Sequence, residues 1–523
     1  MPIRTRVGPR LGLPLAAVLT ALWLIVYPHT PDLAAQVYRV RLFHELGFAV
    51  WDEHWYAGHH LPGYSLLFPP LGSLLGIRVV GALSVLASCA LFDVLARQAY
   101  GPSARWATAW FAVAAVGDVW TGRLTFALGV SFALAAVLAL VRGRSAAAGI
   151  LAVLCAAASP VAGVLLGLAA LSAALSRRSP RIVVVLAGPA AAVVLPLALL
   201  FPEGGFEPYP FLSFVATVLV VIAFLWALGP ADRLLRAGAL VYLLACVLCL
   251  LVRSPMGSNV ERYAVLLAGP LLLLARPRVT PVLAGALCTI AVFVVWGPVR
   301  ETLAVAGGEA TSASYYAPVE RFLAQQAGGG PVRVEVPLTR SHWEAALLAP
   351  TVSLARGWEK QLDERFDRVL LVPGLSAAGY DRWLHAQAVA YVAVPDAPLD
   401  PSSAREGRLI GDGLPYLRQV FASRHWRIYE VLAPTPLASG PGRLTSLGHD
   451  SFALVASAPG RLLVRVRFTR YWTLTRGAGC VAPAPGGWTW VTLRAAGTAV
   501  VAARFSLARA FASGGSCIAG GSS

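Results

Sequence analysis

Lysine is almost missing from this chain: Lys360 is the single one, and the rest of the 43 Lys+Arg residues are arginine. Charge of either sign is scarce. Only 13% of the 523 residues are charged and 57% are hydrophobic, with a mean hydropathy of +0.67, a balance that excludes an ordinary soluble enzyme. The net charge of +17 would suit a nucleic-acid binder, but the arginines fall in short clusters between apolar runs, as topology signals do, so no nucleic-acid partner is expected. Together with abundant Ala, Gly and Val, the arginine bias reads as GC-rich coding. There is no phosphate-cradling loop of the Walker or Rossmann kind, which disfavours binding of a nucleotide. There is also no internal repeat in the apolar half, which weakens the inverted-repeat architecture common among secondary transporters. Cysteines are few. Cys89, Cys155, Cys246, Cys249 and Cys288 sit inside apolar runs as small hydrophobes. Cys480 and Cys517 lie in the polar C-terminal part and can form a disulfide if that part is outside the cell.

What is present is a series of apolar runs. A membrane helix needs about 20 apolar residues. On that basis about eleven spans are expected, at 11–27, 75–95, 106–117, 124–141, 146–158, 160–176, 182–200, 211–229, 237–252, 263–275 and 279–296. No small-residue cleavage site follows the first, so "MPIRTRVGPR" reads as the basic flank of an uncleaved span. With the N-terminus inside, the connections "ARQAYGPSAR", "RGR", "SRRSPR", "ADRLLR" and "ARPR" are cytoplasmic and all are basic. The opposite face receives the 28–71 loop, "GDVWTGR", "FPEGGFEPYP", "RSPMGSNVER" and everything after Trp296. The expected architecture is therefore a polytopic α-helical membrane domain over 1–297, a mixed α/β domain over 298–435 and a β-rich, sandwich-like domain over 436–523, the last two extracytoplasmic.

The densest chemistry is in the first outer loop. Asp32 follows the first span, and "DLAAQVYRVRLFHEL" carries a roughly helical apolar stripe that suits an interfacial helix. Asp32 could equally be a helix cap, and the Trp and Tyr residues an aromatic belt. His54, His59 and His60 fit no strong metal-ligand spacing, and a divalent metal stays open.

An acid just after the first span, the helix that follows it, "WDEHWYAG" and "YSLLFPPL" together resemble the first loop of GT-C glycosyltransferases, in particular the actinobacterial arabinofuranosyltransferase-like members. The resemblance covers about the first hundred residues, and the rest in architecture only. It implies an integral-membrane enzyme of cell-envelope biogenesis, with a polyprenyl-phosphate-linked sugar as donor and Asp32 as general base. The chain departs from relatives that carry a paired Asp-Glu directly after span one; its nearest pair is Asp52-Glu53, which is the alternative base. A departing phosphate needs fixed cations, and Arg123, Arg253 and Arg262 stand at outer span ends against the inside bias. For the acceptor, a glycan, lipid or protein, the candidates are His59, His60 and Tyr64 in the loop and Trp343, Glu344, Arg356 and Trp358 in the outer domain, where aromatic faces beside charged groups suit sugars. The rival readings are a transporter or flippase, which would carry charges deep within its spans, and a non-catalytic envelope-assembly protein.

Overall fold

Ser159 and Thr280 each precede a proline, and each begins a helix. The hydroxyl of Ser159 accepts the Ala162 N–H at 3.3 Å and that of Thr280 the Leu283 N–H at 3.2 Å, while the proline occupies the first turn, where its missing N–H is not needed. The computed structural model describes residues 10–229, 232–275, 280–511 and 515–518 and divides into two compact units. The basic flank before Arg10, the start of "ADRLLR" and most of the "ARPR" connection lie outside the described residues.

The first unit comprises Met1–His44, Gly63–Leu199 and Gly204–Ala306. Its helices are α1 (Gly12–Val26), α2 (Pro31–Leu46, which runs on into the second unit), α3 (Phe68–Leu75), α4 (Ile77–Tyr100), α5 (Arg105–Trp120), α6 (Leu124–Val141), α7 (Ser145–Ala158), α8 (Pro160–Arg177), α9 (Gly188–Leu200), α10 (Phe211–Ala227), α11 (Arg233–Leu251), α12 (Glu261–Ala275) and α13 (Pro281–Val305). Every apolar run expected to span does form a helix. Among the described residues, six stretches are long and apolar enough to cross a membrane, or seven if α1 and α2, bent by 76°, count as one, against the eleven expected. The difference is length, since α5, α7, α10 and α12 have 16, 14, 17 and 15 residues. The stretch Ile77–Trp120 breaks at Gly101–Ala104, and α4 and α5 fold back on each other there, with Phe92 stacked on Phe111 at 4.2 Å between ring centroids.

The second unit comprises Glu45–Pro62, Leu200–Glu203 and Gly307–Ser523. Part of the first loop thus belongs with the C-terminal half, whereas the sequence assigned all of 28–71 to the membrane half. Its strands are β1 (Trp51–Asp52), β2 (His59–His60), β3 (Arg333–Glu335), β4 (Ser353–Leu354), β5 (Val389–Pro395), β6 (Leu417–Ala422), β7 (Trp426–Val431), β8 (Ala438–Ser439), β9 (Gly442–Leu447), β10 (Ser451–Ala456), β11 (Gly460–Val464), β12 (Trp472–Arg476), β13 (Gly479–Pro483), β14 (Thr489–Leu493) and β15 (Gly497–Ala503). A five-stranded mixed sheet, β4-β3-β5-β7-β6, forms the α/β part. Two four-stranded antiparallel sheets, β12-β15-β10-β9 and β13-β14-β11-β8, share one apolar core in which Phe452, Leu454 and Trp472 meet Leu462, Val464 and Val491.

Residues 45–62 act as a strap across the second unit. Trp51 is buried in the two-sheet core and Ala57 packs on Trp488. Trp55 donates its indole N–H to the Ala345 carbonyl at 3.0 Å and lies so close to Gly357 that a Cβ there would come within 2.4 Å of its ring. Tyr56 and Ala57 turn the strap in the left-handed region, with φ of 56° and 60°, and Arg467 holds that turn. Its backbone N–H donates to Ala57 O at 2.7 Å and its Nε to Tyr56 O at 3.2 Å, while its guanidinium sits 3.9 Å from the Phe366 ring and 4.1 Å from that of Trp488.

Candidate functional site

Pro31 opens α2, so Asp32 lies inside the first turn and not at the cap, where the helix dipole favours a carboxylate by about 0.3–1 kcal/mol. The expected interfacial helix is instead buried around most of its circumference, including Leu33, Ala34, Ala35, Gln36, Tyr38, Arg39 and Val40. Asp32 Oδ2 accepts the Nε–H of Arg123 at 3.2 Å, with the two side chains 35% and 30% exposed.

Backbone geometry brings this pair together. Arg123 belongs to the turn between α5 and α6, and Gly122 in that turn has φ +83°, with a position for Cβ only 2.5 Å from Leu33 N and 2.9 Å from Thr30 Oγ1. Any larger residue would push the turn off α2. Gln36, one helical turn beyond Asp32, closes the contact: its amide donates to Gly122 O and accepts the Thr125 N–H, the latter at 3.2 Å. Partly exposed ion pairs contribute at most about 1 kcal/mol, so the fold gains little from Asp32 and Arg123 themselves.

Further charges gather at the same end of the bundle. Arg262, near the start of α12, lies 5.3 Å from the Phe126 ring and interacts electrostatically with Arg123, Asp32, Asp118 and Tyr64. Asp118, buried in the last turn of α5, acts on both guanidiniums. Tyr64 lies under the Arg39 guanidinium at 3.9 Å. Arg253 does not join them; it is exposed and packs over Phe206 at 5.1 Å. Gln36, Gly122 and Asp118 were not singled out from sequence. The spacing of Asp118 and Arg123 across the "GDVWTGR" turn was the available signal.

Asp52 and Glu53 are not at this site. Both belong to the strap and are completely buried in the second unit. Asp52 Oδ1 accepts His449 Nδ1 at 2.9 Å and the His54 backbone N–H at 3.2 Å, and Oδ2 lies 3.7 Å from His59 Nδ1. Burial would raise the Asp52 pKa, but the His449 hydrogen bond and the charges of His59, His449 and His54 outweigh it and hold the carboxyl at about 2. Against the same burial, Asp52 raises the His449 pKa. For Glu53 burial wins: its pKa is pushed well up although Trp51 Nε1 donates to its Oε1 at 2.6 Å. Its second oxygen lacks a hydrogen-bond partner among the described residues.

The remaining acceptor candidates are mostly interior. His59 donates Nδ1 to Asp52 O at 3.2 Å and stacks on Trp55, and His60 lies between Glu203 and Thr469, each at 3.1 Å. Trp343 is only 5% exposed. Glu344 is buried and accepts from the Thr339 backbone N–H at 3.0 Å and hydroxyl at 2.6 Å. Arg356 is clamped between two buried carboxylates, Glu335 at 2.8 Å from its Nε and Glu406 at 2.5 Å from Nη2. Trp343, Glu344 and Arg356 therefore do not present a sugar-binding surface; they pack the α/β core. Only Trp358 stays partly exposed, stacked on His342 at 3.5 Å. Cys480 and Cys517 form a disulfide, with Cα atoms 4.9 Å apart, that ties the C-terminal segment to β13. Among the described residues no group of three or more His, Cys, Asp or Glu side chains is placed to hold a metal ion.

Compared with protein-family models and with curated proteins, the chain matches none.

Proposed function

We propose that the chain is a membrane glycosyltransferase that moves a sugar from a polyprenyl-phosphate donor to a cell-envelope glycan, lipid or protein. The reading places its N-terminus in the cytoplasm and its second unit outside the cell. Asp32 takes the proton of the acceptor hydroxyl, the freed oxygen attacks the anomeric carbon, and the bond from that carbon to the phosphate oxygen breaks. The departing phosphate is held by Arg123 and Arg262, whose guanidiniums suit phosphate oxygens. Phosphate binding to Arg123 also releases Asp32 to act as base.

The observation that carries this reading is the Asp32–Arg123 pair, with Arg262 in electrostatic reach of both, on a turn that Gln36 and Gly122 clamp in place. The disulfide Cys480–Cys517 supports an oxidising compartment for the second unit. The test is transfer from polyprenyl-phospho-sugars in membranes. Asp32→Asn is expected to lower turnover by roughly 10²–10⁴-fold, the range of a general base; unchanged turnover would remove the proposed base. Labelling of Ser457→Cys by an impermeant maleimide in intact cells is expected, and protection of that site until lysis would overturn the topology.

A further inference from the structure

The helices of the first unit part around a second feature, far along the bundle from Asp32. Helix α6 begins beside Arg123, and Val137 and Val141 at its other end line a cavity of about 610 Å³. That volume falls within the roughly 300–1,000 Å³ of small-molecule sites. The rest of the wall comes from α8, from Ile182 and Leu186 just before α9, and from α10, α11 and α12, and is almost wholly apolar. Its few hydroxyls are largely spent on backbone: Tyr242 donates to Val260 O at 3.1 Å and Ser172 to Leu168 O at 2.9 Å.

Among the described residues, one charged side chain borders it. Arg177, the last residue of α8, lines the cavity, is exposed, and among the described residues makes no ion pair. The connections at that end of the bundle are basic throughout, with Arg142, Arg144, Arg178, Arg181 and Arg233. Asp232 is the single acid among their described residues, and its carboxylate accepts the Gly229 N–H at 3.0 Å. Apolar walls with a cationic rim between long apolar helices match a lipid whose head is negative.

We propose that this cavity holds an acyl chain of one anionic phospholipid, whose headgroup phosphate pairs with Arg177. The site is separate from the proposed transfer site, because Arg177 lies at the end of α6 and α8 away from Arg123. The probes are phosphatidylglycerol and phosphatidylcholine of equal chain length, added to the delipidated full-length protein and counted by native mass spectrometry. Preferential retention of phosphatidylglycerol is expected. Arg177→Gln should bring the two lipids to within about two-fold of each other, and Gly238→Leu or Ala169→Phe, which put bulk into the cavity, should abolish the adduct while the unfolding midpoint is kept. Equal retention of both lipids by the unchanged protein would overturn the proposal, as would an adduct indifferent to both filling variants. Displacement of phosphatidylglycerol by equimolar polyprenyl phosphate would also overturn it, by assigning the cavity to the donor's tail. Loss of transfer in Asp32→Asn bears on none of these results.

Discussion

Removing the charge of Asp52 should destabilise the second unit and leave the proposed base, Asp32, in place. A carboxyl held at about 2 instead of its ordinary 3.8 is favoured in the fold by roughly 2–3 kcal/mol, at about 1.4 kcal/mol for each tenfold change in proton affinity. Asp52→Asn keeps the shape and an acceptor for His449 but loses the ionic part, so a cost of about 2 kcal/mol follows, or about 4–8 °C in Tm for a unit of this size. The pH dependence has a definite sign. The folded pKa of Asp52 is depressed, so its contribution is present above 3.8 and lost as pH falls towards 2. The folded pKa of His449 is raised, so its contribution is complete below 6.5 and lost as pH rises through the raised value. Thermal unfolding of the full-length protein in detergent at pH 5, 7 and 9 should therefore show a decline for the unchanged protein at the alkaline end, and little of that decline in Asp52→Asn. Equal midpoints for the two proteins at every pH would refute this account. So would an Asp52→Asn protein of full stability that had lost transfer, since Asp52 would then be acting in catalysis.

Glu53→Gln should cost under about 1 kcal/mol, because burial already favours the uncharged acid and the amide can still accept from Trp51, whereas Glu53→Ala leaves that indole unpaired at about 1–3 kcal/mol; denaturant midpoints distinguish the two. Arg356→Ala strands Glu335 and Glu406 without their cation in the α/β core and should cost about 3–5 kcal/mol, read as loss of folded protein after detergent extraction. The disulfide spans 37 residues, for which chain entropy gives up to about 4 kcal/mol; Cys480→Ser should lower the unfolding midpoint, and equal midpoints with and without reductant would contradict it.

Helix positions were legible because their determinants are local. The run read at 124–141 is α6 to the residue, and that at 160–176 misses α8 by one. Ser159-Pro160 announces its own break through a hydroxyl three residues from its partner. The strap was not legible. Its anchors pair residues such as Asp52 and His449, 397 positions apart, and no local pattern tells a buried "WDEHWYAGHH" from an aromatic belt at a membrane surface. The α/β core misled for a related reason: a run such as "LARGWEK" looks solvated until Glu335 and Glu406, distant in sequence, supply the carboxylates that make burial of Arg356 tolerable. At the site itself Asp32, Arg123 and Arg262 were recognisable as charges at the ends of apolar runs. Gln36 was not, because its role exists only once Gly122 and Thr125 reach it.

The loop from Pro28 to Leu71 thus carries its acids for two unrelated reasons, and the division falls within α2. Up to His44 the chain belongs to the helical unit, where Asp32 is partly exposed, paired with a cation and of little use to stability. From Glu45 it belongs to the second unit, where every polar group of "WDEH" is buried and the fold depends on its partners. An enzyme's base must meet a substrate hydroxyl within hydrogen-bond reach. Asp52, wholly buried among three histidines, has no room to do so, whereas the Asp32 side chain is 35% exposed. If transfer is measured, a carboxylate that reacts should change the rate at constant stability, and one that holds the strap should change stability at constant rate per folded molecule. Asp32→Asn and Asp52→Asn are expected to fall on opposite sides of that line.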